Sequence, residues 1–168
     1  MKEVIISELV GLKLQDAGRS SNLFSLGFGE ITQIVRRGET QELAEYALHI
    51  QCSWRITLNN KIVVASRDFY SPSSEWNGDI ENFYWDIQGK NRFDERIKTF
   101  IKNKGEIKVQ KIDSDDLGGL KVFLSHGYSL EAFPDSSEDD EQSEHWRFLN
   151  RKDNSPHFVV TGMGFEKV

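Results

Sequence analysis

Among the four histidines and the single cysteine of the chain, His49 and Cys52 are the two that lie closest in sequence, and their side chains could bind a metal ion or act as a nucleophile with a base. They lie three positions apart in a segment of alternating apolar residues, and side chains three apart on a strand point to opposite faces. This spacing predicts that the pair does not hold one zinc ion. Cys52 also falls on the apolar face, where a thiol behaves as a small hydrophobic group. We therefore expect no catalysis through Cys52.

Other short motifs resemble functional sites but lack essential residues. Residues 27–29 and 162–164 are Gly-x-Gly runs without the further glycine and following helix of a phosphate-binding loop. Residues 113–118 match three positions of an EF-hand calcium loop, but Leu117 and Leu124 occupy two ligand positions. No serine lies in a Gly-x-Ser-x-Gly sequence. The sequence predicts a non-enzymatic protein with no catalytic, cofactor-binding or metal-binding residues.

Alternating apolar residues predict that the chain is mostly β-structure. The clearest strand covers 44–56, where a strict period of two indicates one buried face. Asn59 and Asn60 follow, and asparagine tolerates the positive φ of a two-residue hairpin turn. Pairing through that turn would place Val63 opposite Ile56 and Ala65 opposite Trp54. The even-numbered residues of the strand form the predicted buried face: Tyr46, Leu48, Ile50, Cys52, Trp54 and Ile56.

The rest of the chain predicts further hairpins and one helix. Phe93, Ile97, Phe100 and Ile101 fall on one face of an amphipathic helix over 92–104, closed by Gly105. We predict an α+β fold in one domain, 1–168, with about 8–10 predominantly antiparallel strands in hairpins and this helix packed on the sheet. The other predicted features are a helix or strand at 1–10, two strands within 11–28 joined by a turn at 16–22, a segment 31–35 ending at a turn over 36–42, an irregular aromatic excursion at 68–90, strands within 105–113, 119–125 and 127–134, an acidic loop at 135–144, and closing strands at 145–150 and 157–162.

Segments 53–65 and 145–160 resemble each other. Each begins with a Trp-Arg pair, continues through a polar turn containing asparagine and ends with a Val-Val pair. Strand alternation directs the indoles of Trp54 and Trp146 inward and the guanidinium groups of Arg55 and Arg147 outward. We therefore interpret the similarity as two hairpins with the same packing role, and not as a duplicated catalytic element.

Charge is distributed unevenly along a chain whose net charge is −6. Residues 113–145 contain ten acids and one base, whereas residues 90–111 contain eight bases and three acids. Two interpretations remain open: solvated faces, or an acidic docking surface for a basic partner. The basic segment does not predict nucleic-acid binding, because its aromatic residues are better placed on the inward helix face and the acidic segment would repel phosphates.

The sequence also predicts a cytoplasmic location. Glu3 and Glu8 interrupt what would be the apolar part of an export signal, and the single cysteine fits a reducing compartment. No uncharged apolar stretch approaches the roughly 20 residues that span a bilayer, so we expect no membrane association.

Several segments resemble an uncharacterised family of small bacterial cytoplasmic domains, of the kind found beside polymorphic toxins as immunity proteins. The segments are YALHIQCSWRI at 46–56, KIVVASRDFYSP at 61–72, LEAFPDSSEDDEQSEHWRF at 130–148 and HFVVTGMG at 157–164. The family has no assigned catalytic residues, so no catalytic role carries over. The resemblance implies an immunity protein that binds and neutralises a toxin, and the acidic segment predicts that this toxin is a basic protein. Oligomeric state does not follow from it.

Under this resemblance the acidic loop would bind a basic cleft of the toxin, with electrostatic steering of association. Trp76 and Trp85 would be anchors, with loop packing on the core as the alternative. Two other functions stay open: a small-ligand-binding or regulatory module, and an enzyme with residues assembled by the fold, for which His49 and Asp68 are the first pair to examine. The predicted partner-binding residues are Asp135, Glu138, Asp139, Asp140, Glu141, Glu144, Trp76 and Trp85.

Overall fold

The computed structural model describes residues 6–153 and 155–168. In this part of the chain, eleven strands form two antiparallel sheets. The predicted α+β class is confirmed, with one strand more than the predicted range. The strands are β1 (Leu14–Ser20), β2 (Leu23–Arg36), β3 (Glu39–Ile50), β4 (Ser53–Leu58), β5 (Lys61–Ala65), β6 (Val109–Ser114), β7 (Leu120–Leu124), β8 (Tyr128–Phe133), β9 (Glu144–Asn150), β10 (Phe158–Thr161) and β11 (Gly164–Lys167); the helix α1 is Arg92–Asn103, and 3-10 helices cover Ser7–Leu9, Ser66–Tyr70, Ile80–Asn82 and Ser125–Gly127.

The two sheets enclose a continuous apolar core. One sheet has the strand order β1-β2-β3-β9-β10-β11 and the other has the order β5-β4-β8-β7-β6. Phe24 on β2 stacks on Trp54 on β4, with ring centroids 3.9 Å apart, so the sheets meet directly through aromatic rings. Trp54 and Trp146 are both buried, while Arg55 and Arg147 remain partly exposed. The predicted directions of the two indoles and the two guanidinium groups are therefore confirmed.

Helix α1 packs on the core with its predicted apolar face. Phe93, Ile97 and Phe100 are buried, and the Phe93 ring lies 5.6 Å from Phe24 and 5.8 Å from Trp54 between centroids. The Asn91 side chain accepts a hydrogen bond from the Asp94 N–H and caps the first turn. Past the last turn, Gly105 takes φ +63°, as a helix-terminating glycine does.

The predicted strand over 44–56 is two strands in different sheets. β3 ends at Ile50 and β4 begins at Ser53, and the N–H groups of Gln51 and Cys52 between them both donate to the His145 carbonyl. The alternation continues through this corner because residues on both sides of it point into the same core. All the residues predicted to be buried are buried, so that prediction is confirmed. The prediction that they belong to one continuous strand was wrong.

The hairpin at Asn59 and Asn60 is confirmed, but its predicted register was wrong. Both asparagines have positive φ, 50° and 58°. A bulge between Ile56 and Thr57 shifts the pairing, so that Val64 lies opposite Ile56 and Ala65 lies opposite Arg55. The bulge adds one residue to β5, and Val64 is the residue that becomes fully buried.

Other boundaries differ from the prediction mainly in turn length. The turn predicted over 16–22 is only residues 21 and 22, and the turn predicted over 36–42 is only residues 37 and 38. The short strand β11 was not predicted. The excursion over 68–90 contains turns and 3-10 helices, as its irregular sequence indicates. Of the segment 1–10, residues 1–5 lie outside the described residues, and residues 7–9 form a 3-10 helix.

The long β2–β3 hairpin folds back toward its own sheet. Its pairing shifts between Phe28 and Ile31, where Gly29 has φ +88°. On a straight strand, Arg36 would lie roughly 35 Å from Ser25, the residue paired with His49. Instead, Arg36 lies close enough to lower the pKa of His49, and residues 34–36 share a cleft with Leu149 on β9. The hairpin tip therefore lies beside β9 at this cleft.

Candidate functional site

The acidic segment, residues 135–144, connects β8 to β9 and is attached to the rest of the fold at its start. The Asp135 carboxylate accepts hydrogen bonds from the Ser53 backbone N–H at 3.3 Å and from the Ser53 hydroxyl at 2.5 Å. Ser53 is the first residue of β4, immediately after the corner between the sheets. Asp135 is thus a structural link to β4 as well as an exposed charge.

A second attachment holds the middle of the acidic segment. The Asp140 carboxylate accepts hydrogen bonds from the N–H groups of Gln142 and Ser143, both at 2.8 Å, and closes a turn. The Ser143 carbonyl accepts a hydrogen bond from the Gly162 N–H at 3.1 Å, which ties this turn to the loop between β10 and β11. A Cβ atom at Gly162 would lie 1.7 Å from the Glu138 carbonyl oxygen, so this approach requires glycine.

Glu144 ends the segment in an ion pair. Its two carboxylate oxygens accept hydrogen bonds from Nε and Nη2 of Arg147 at 3.0 and 2.7 Å. The same carboxylate raises the pKa of Arg147. Glu144 therefore has an internal partner, and its charge is largely compensated within the protein.

The other carboxylates of the acidic segment have no such compensation. Among the described residues, no lysine, arginine or histidine forms an ion pair with Glu138, Asp139, Asp140 or Glu141, and all four residues are exposed. The segment contains six acids and no base over its ten residues. Asp135 also forms no ion pair in the described part of the chain, and the four residues in the middle carry the rest of the uncompensated charge.

Exposed apolar side chains lie beside these carboxylates. Leu117, in the β6–β7 turn, is 85% exposed, and Met163, in the β10–β11 turn, is 62% exposed. Both line a cleft of about 450 Å³ together with Pro134 and Glu138. The sequence analysis did not identify Leu117 or Met163 as binding residues, because their proximity to the acidic segment arises only from the fold.

The predicted tryptophan anchors lie in the aromatic excursion and are only partly exposed. The Trp85 ring packs against the core and lies edge-on to Tyr70, with centroids 5.1 Å apart. The Trp76 ring lies edge-on to Phe83 at 5.6 Å, and its Nε1 is buried without a hydrogen-bond partner. The more exposed apolar side chains of this region are others, which the sequence analysis missed: Tyr70, Ile80, Tyr84 and Ile87.

A cleft of about 390 Å³ connects the aromatic excursion with the start of the acidic segment. Tyr70 and Asp135 both line it, together with Ser53 and Cys52. Cys52 is only 6% exposed, and burial raises the pKa of its thiol to about 12. The thiol is therefore protonated at neutral pH, which makes it a poor nucleophile.

The fold does not bring His49 and Asp68 into contact with each other. Burial, followed by the charges of Arg151 and Arg147, lowers the pKa of His49 to about 4. Asp68 lies in the 3-10 helix that follows β5. Its carboxylate accepts a hydrogen bond from the Ala65 N–H and lies 3.8 Å from the Arg92 guanidinium group. No hydrogen bond or ion pair connects these two described residues.

The side chains that could bind a metal ion are dispersed over residues 6–153 and 155–168. In these residues, no three histidine, cysteine, aspartate or glutamate side chains are grouped so that they could hold a metal ion. The Asp115 carboxylate of the calcium-loop-like segment instead accepts hydrogen bonds from the N–H groups of Leu117 and Gly119. No helix in the described part of the chain is both long and apolar enough to span a bilayer.

Comparisons with models of protein families, with curated proteins and with solved structures found no match to this chain. The resemblance to immunity proteins of toxin systems stays a prediction.

Proposed function

We propose that this protein binds a basic protein partner through its acidic segment and acts as an immunity protein that neutralises a toxin. The observation that carries the proposal is the set of four exposed carboxylates without an internal cation, on a segment attached to β4 and to the β10–β11 loop. Charge that the fold does not compensate is available to a partner.

The attachments of the segment favour binding for an entropic reason. A loop that is ordered only on binding loses conformational freedom at that point, which reduces affinity. Ser53, Asp140 and Gly162 already hold the acidic segment in the free protein. Less ordering then remains for the moment of association, so the carboxylates can meet a complementary surface at lower cost.

The neighbouring apolar side chains supply the second component of an interface. Protein interfaces combine a desolvated apolar centre with a polar rim. Leu117 and Met163 would form apolar contacts, and Glu138, Asp139 and Glu141 would be rim charges that pair with lysine or arginine of the partner. Basic active clefts, such as those of nucleases, have the charge that this surface complements.

The aromatic excursion can extend the same interface. The cleft that Tyr70 and Asp135 share makes it continuous with the acidic segment. In this proposal Trp85 supports the exposed ring of Tyr70, and Trp76 and Trp85 contribute their own partly exposed edges. Aromatic side chains are frequent among the residues that dominate binding energy.

The test uses the purified product of the gene adjacent to the one that encodes this protein. We expect a one-to-one complex in a calorimetric titration, and protection of cells that express the toxin. The triple variant Glu138→Gln, Asp139→Asn, Glu141→Gln should bind at least about 10-fold more weakly, given the energies of charge pairs at interfaces. The matched control, Glu30→Gln, Glu39→Gln, Glu42→Gln, removes the same charge from exposed positions on the β2–β3 hairpin. A neighbouring protein that does not bind, or equal loss in both variants, would contradict the proposal.

A further inference from the structure

A third cleft, of about 550 Å³, lies where the tip of the β2–β3 hairpin meets β9 and the β9–β10 connection. Its volume is in the range of small-molecule sites, roughly 300 to 1,000 Å³. The residues that matter for its chemistry are Arg36, Arg151 and His157, with Ile34 and Leu149 as apolar lining. None of them belongs to the acidic segment.

Two arginines of this cleft have no carboxylate partner in the described part of the chain. No ion pair within 4.0 Å involves Arg36 or Arg151 among those residues, whereas nearby Arg147 is paired with both oxygens of Glu144. Asp153 also lines the cleft, and its carboxylate accepts a hydrogen bond from the Ser155 N–H. Asp153 and, near Arg151, Asp16 therefore offset part of the positive charge, but neither forms an ion pair with Arg36 or Arg151.

Arg151 is the more enclosed of the two arginines. Its Nη1 donates to the Ala44 carbonyl at 3.2 Å, and its Nε is buried without a hydrogen-bond partner. Burial and the nearby charge of Arg36 lower the pKa of Arg151, and Asp16 acts in the opposite direction. An anion that accepts a hydrogen bond from this guanidinium group would satisfy Nε and offset the charge of Arg36.

His157 adds a neutral hydrogen-bond donor. Its Nδ1 lies 2.9 Å from Nη1 of Arg147, and because arginine can only donate, Nδ1 accepts and the ring proton is on Nε2. Burial and the charges of Arg147 and Arg36 lower the pKa of His157. The charges of Arg147, Arg36 and Arg151 also lower the pKa of His49, which lies on β3 beside β9.

We propose that this cleft binds a small organic oxyanion, a phosphate ester or a carboxylate, through the guanidinium groups of Arg36 and Arg151 and the imidazole of His157. Arginine matches both oxyanions because its planar group donates parallel hydrogen bonds to two oxygens. The apolar side chains of Ile34 and Leu149 would contact the organic part of the ligand. This site is independent of the acidic surface and of the proposed protein partner.

Proton NMR titration of the histidine rings tests the proposal with two probes, inorganic phosphate and citrate, each against sodium chloride at equal ionic strength. An anion bound within about 4 to 6 Å raises the pKa of a histidine, so we expect that of His157 to rise by about one unit. A response to phosphate alone would indicate that the ligand is a phosphate ester, and a response to citrate alone would indicate a carboxylate. A response to both probes would indicate that the cleft binds either kind of oxyanion. Unchanged titration with both probes, or an equal change with chloride, would overturn the proposal.

Two variants locate the effect. Arg36→Gln should abolish at least about 90% of the affinity for the responding anion, as expected for loss of a charge-assisted contact. Arg36 is exposed, so this variant keeps the fold, whereas Arg151 also holds the Ala44 carbonyl. Arg96→Gln, on the exposed face of α1, is the matched control and should bind normally. Equal losses in the two variants would contradict the assignment of the site to this cleft.

Discussion

His49 shows how strongly single side chains respond to the charges around them in this fold. It is paired with Arg147 across β3 and β9, and Arg151 and Arg36 approach it from the same sheet and from the hairpin tip. Glu144 opposes this effect but is already shared with Arg147. Burial therefore contributes most to keeping the ring neutral, and the positive charges of the arginines contribute next.

The lowered pKa of His49 predicts acid sensitivity of the fold. The unfolded chain takes up a proton at this ring below its ordinary pKa of 6.5, and the folded protein does so only near pH 4. The contribution of His49 to stability is therefore fully present above pH 6.5 and is lost as the pH falls toward 4. The full shift would remove about 2 kcal/mol between pH 7 and pH 5, and solvent access to the ring reduces this to about 1 kcal/mol.

Urea unfolding at pH 7 and pH 5 measures this loss directly. His49→Gln should lose about 1 kcal/mol less than the unsubstituted protein between these two pH values, because glutamine does not titrate. His157 contributes in the same direction in both proteins, so the difference isolates His49. Identical pH dependence of the two proteins would show that His49 is not buried among positive charges.

Among the helices and strands, the sequence predicted correctly those features that neighbouring residues determine. Helix α1 follows from the spacing of Phe93, Ile97 and Phe100 with a glycine after the last turn, and the Asn59-Asn60 hairpin follows from the φ preference of asparagine. The corner at Gln51 and the bulge in the β4–β5 hairpin could not be predicted, because the apolar alternation continues through both while the pairing partners change.

The acidic segment and its surroundings were likewise predicted only in part. Its charges are visible in the sequence as the acidic segment, but the groups that fix it are distant in sequence: Ser53 is 82 positions from Asp135, and Gly162 is 19 positions from Ser143. Leu117 and Met163 join it only because the β6–β7 and β10–β11 turns lie side by side at one cleft. Contacts of this kind arise from the tertiary structure and leave no periodic signal.

Gly162 tests whether the acidic segment is attached as described. Gly162→Ala places a Cβ atom on the Glu138 carbonyl, so we expect the segment to be displaced and the free energy of unfolding to fall by about 1 to 3 kcal/mol. Gly18→Ala is the control, because a Cβ at that position of β1 meets no atom within 4 Å. Hydrogen exchange of the Ser143 and Gly162 amides should accelerate only in the first variant. Equal stability of both variants would show that the acidic segment does not pack on the β10–β11 loop.

The whole molecule combines charges of opposite sign in separate places. Glu138, Asp139 and Glu141 form an uncompensated acidic surface, whereas Arg36 and Arg151 leave positive charge at the cleft beside the hairpin tip. Glu144 and Arg147 neutralise one another between these two regions. None of these charged residues belongs to the continuous apolar core. The two proposals therefore concern separate surfaces of the molecule.

The rate of association with the product of the adjacent gene, measured at low and high salt, tests the acidic surface most directly. We expect the rate constant of the unsubstituted protein to fall at least about 10-fold as salt increases, since screening removes electrostatic steering. The variant lacking the charges of Glu138, Asp139 and Glu141 should associate slowly at both salt concentrations, and the control lacking those of Glu30, Glu39 and Glu42 should behave like the unsubstituted protein. Association that is independent of salt, or equally slow in both variants, would contradict a docking role for the acidic segment.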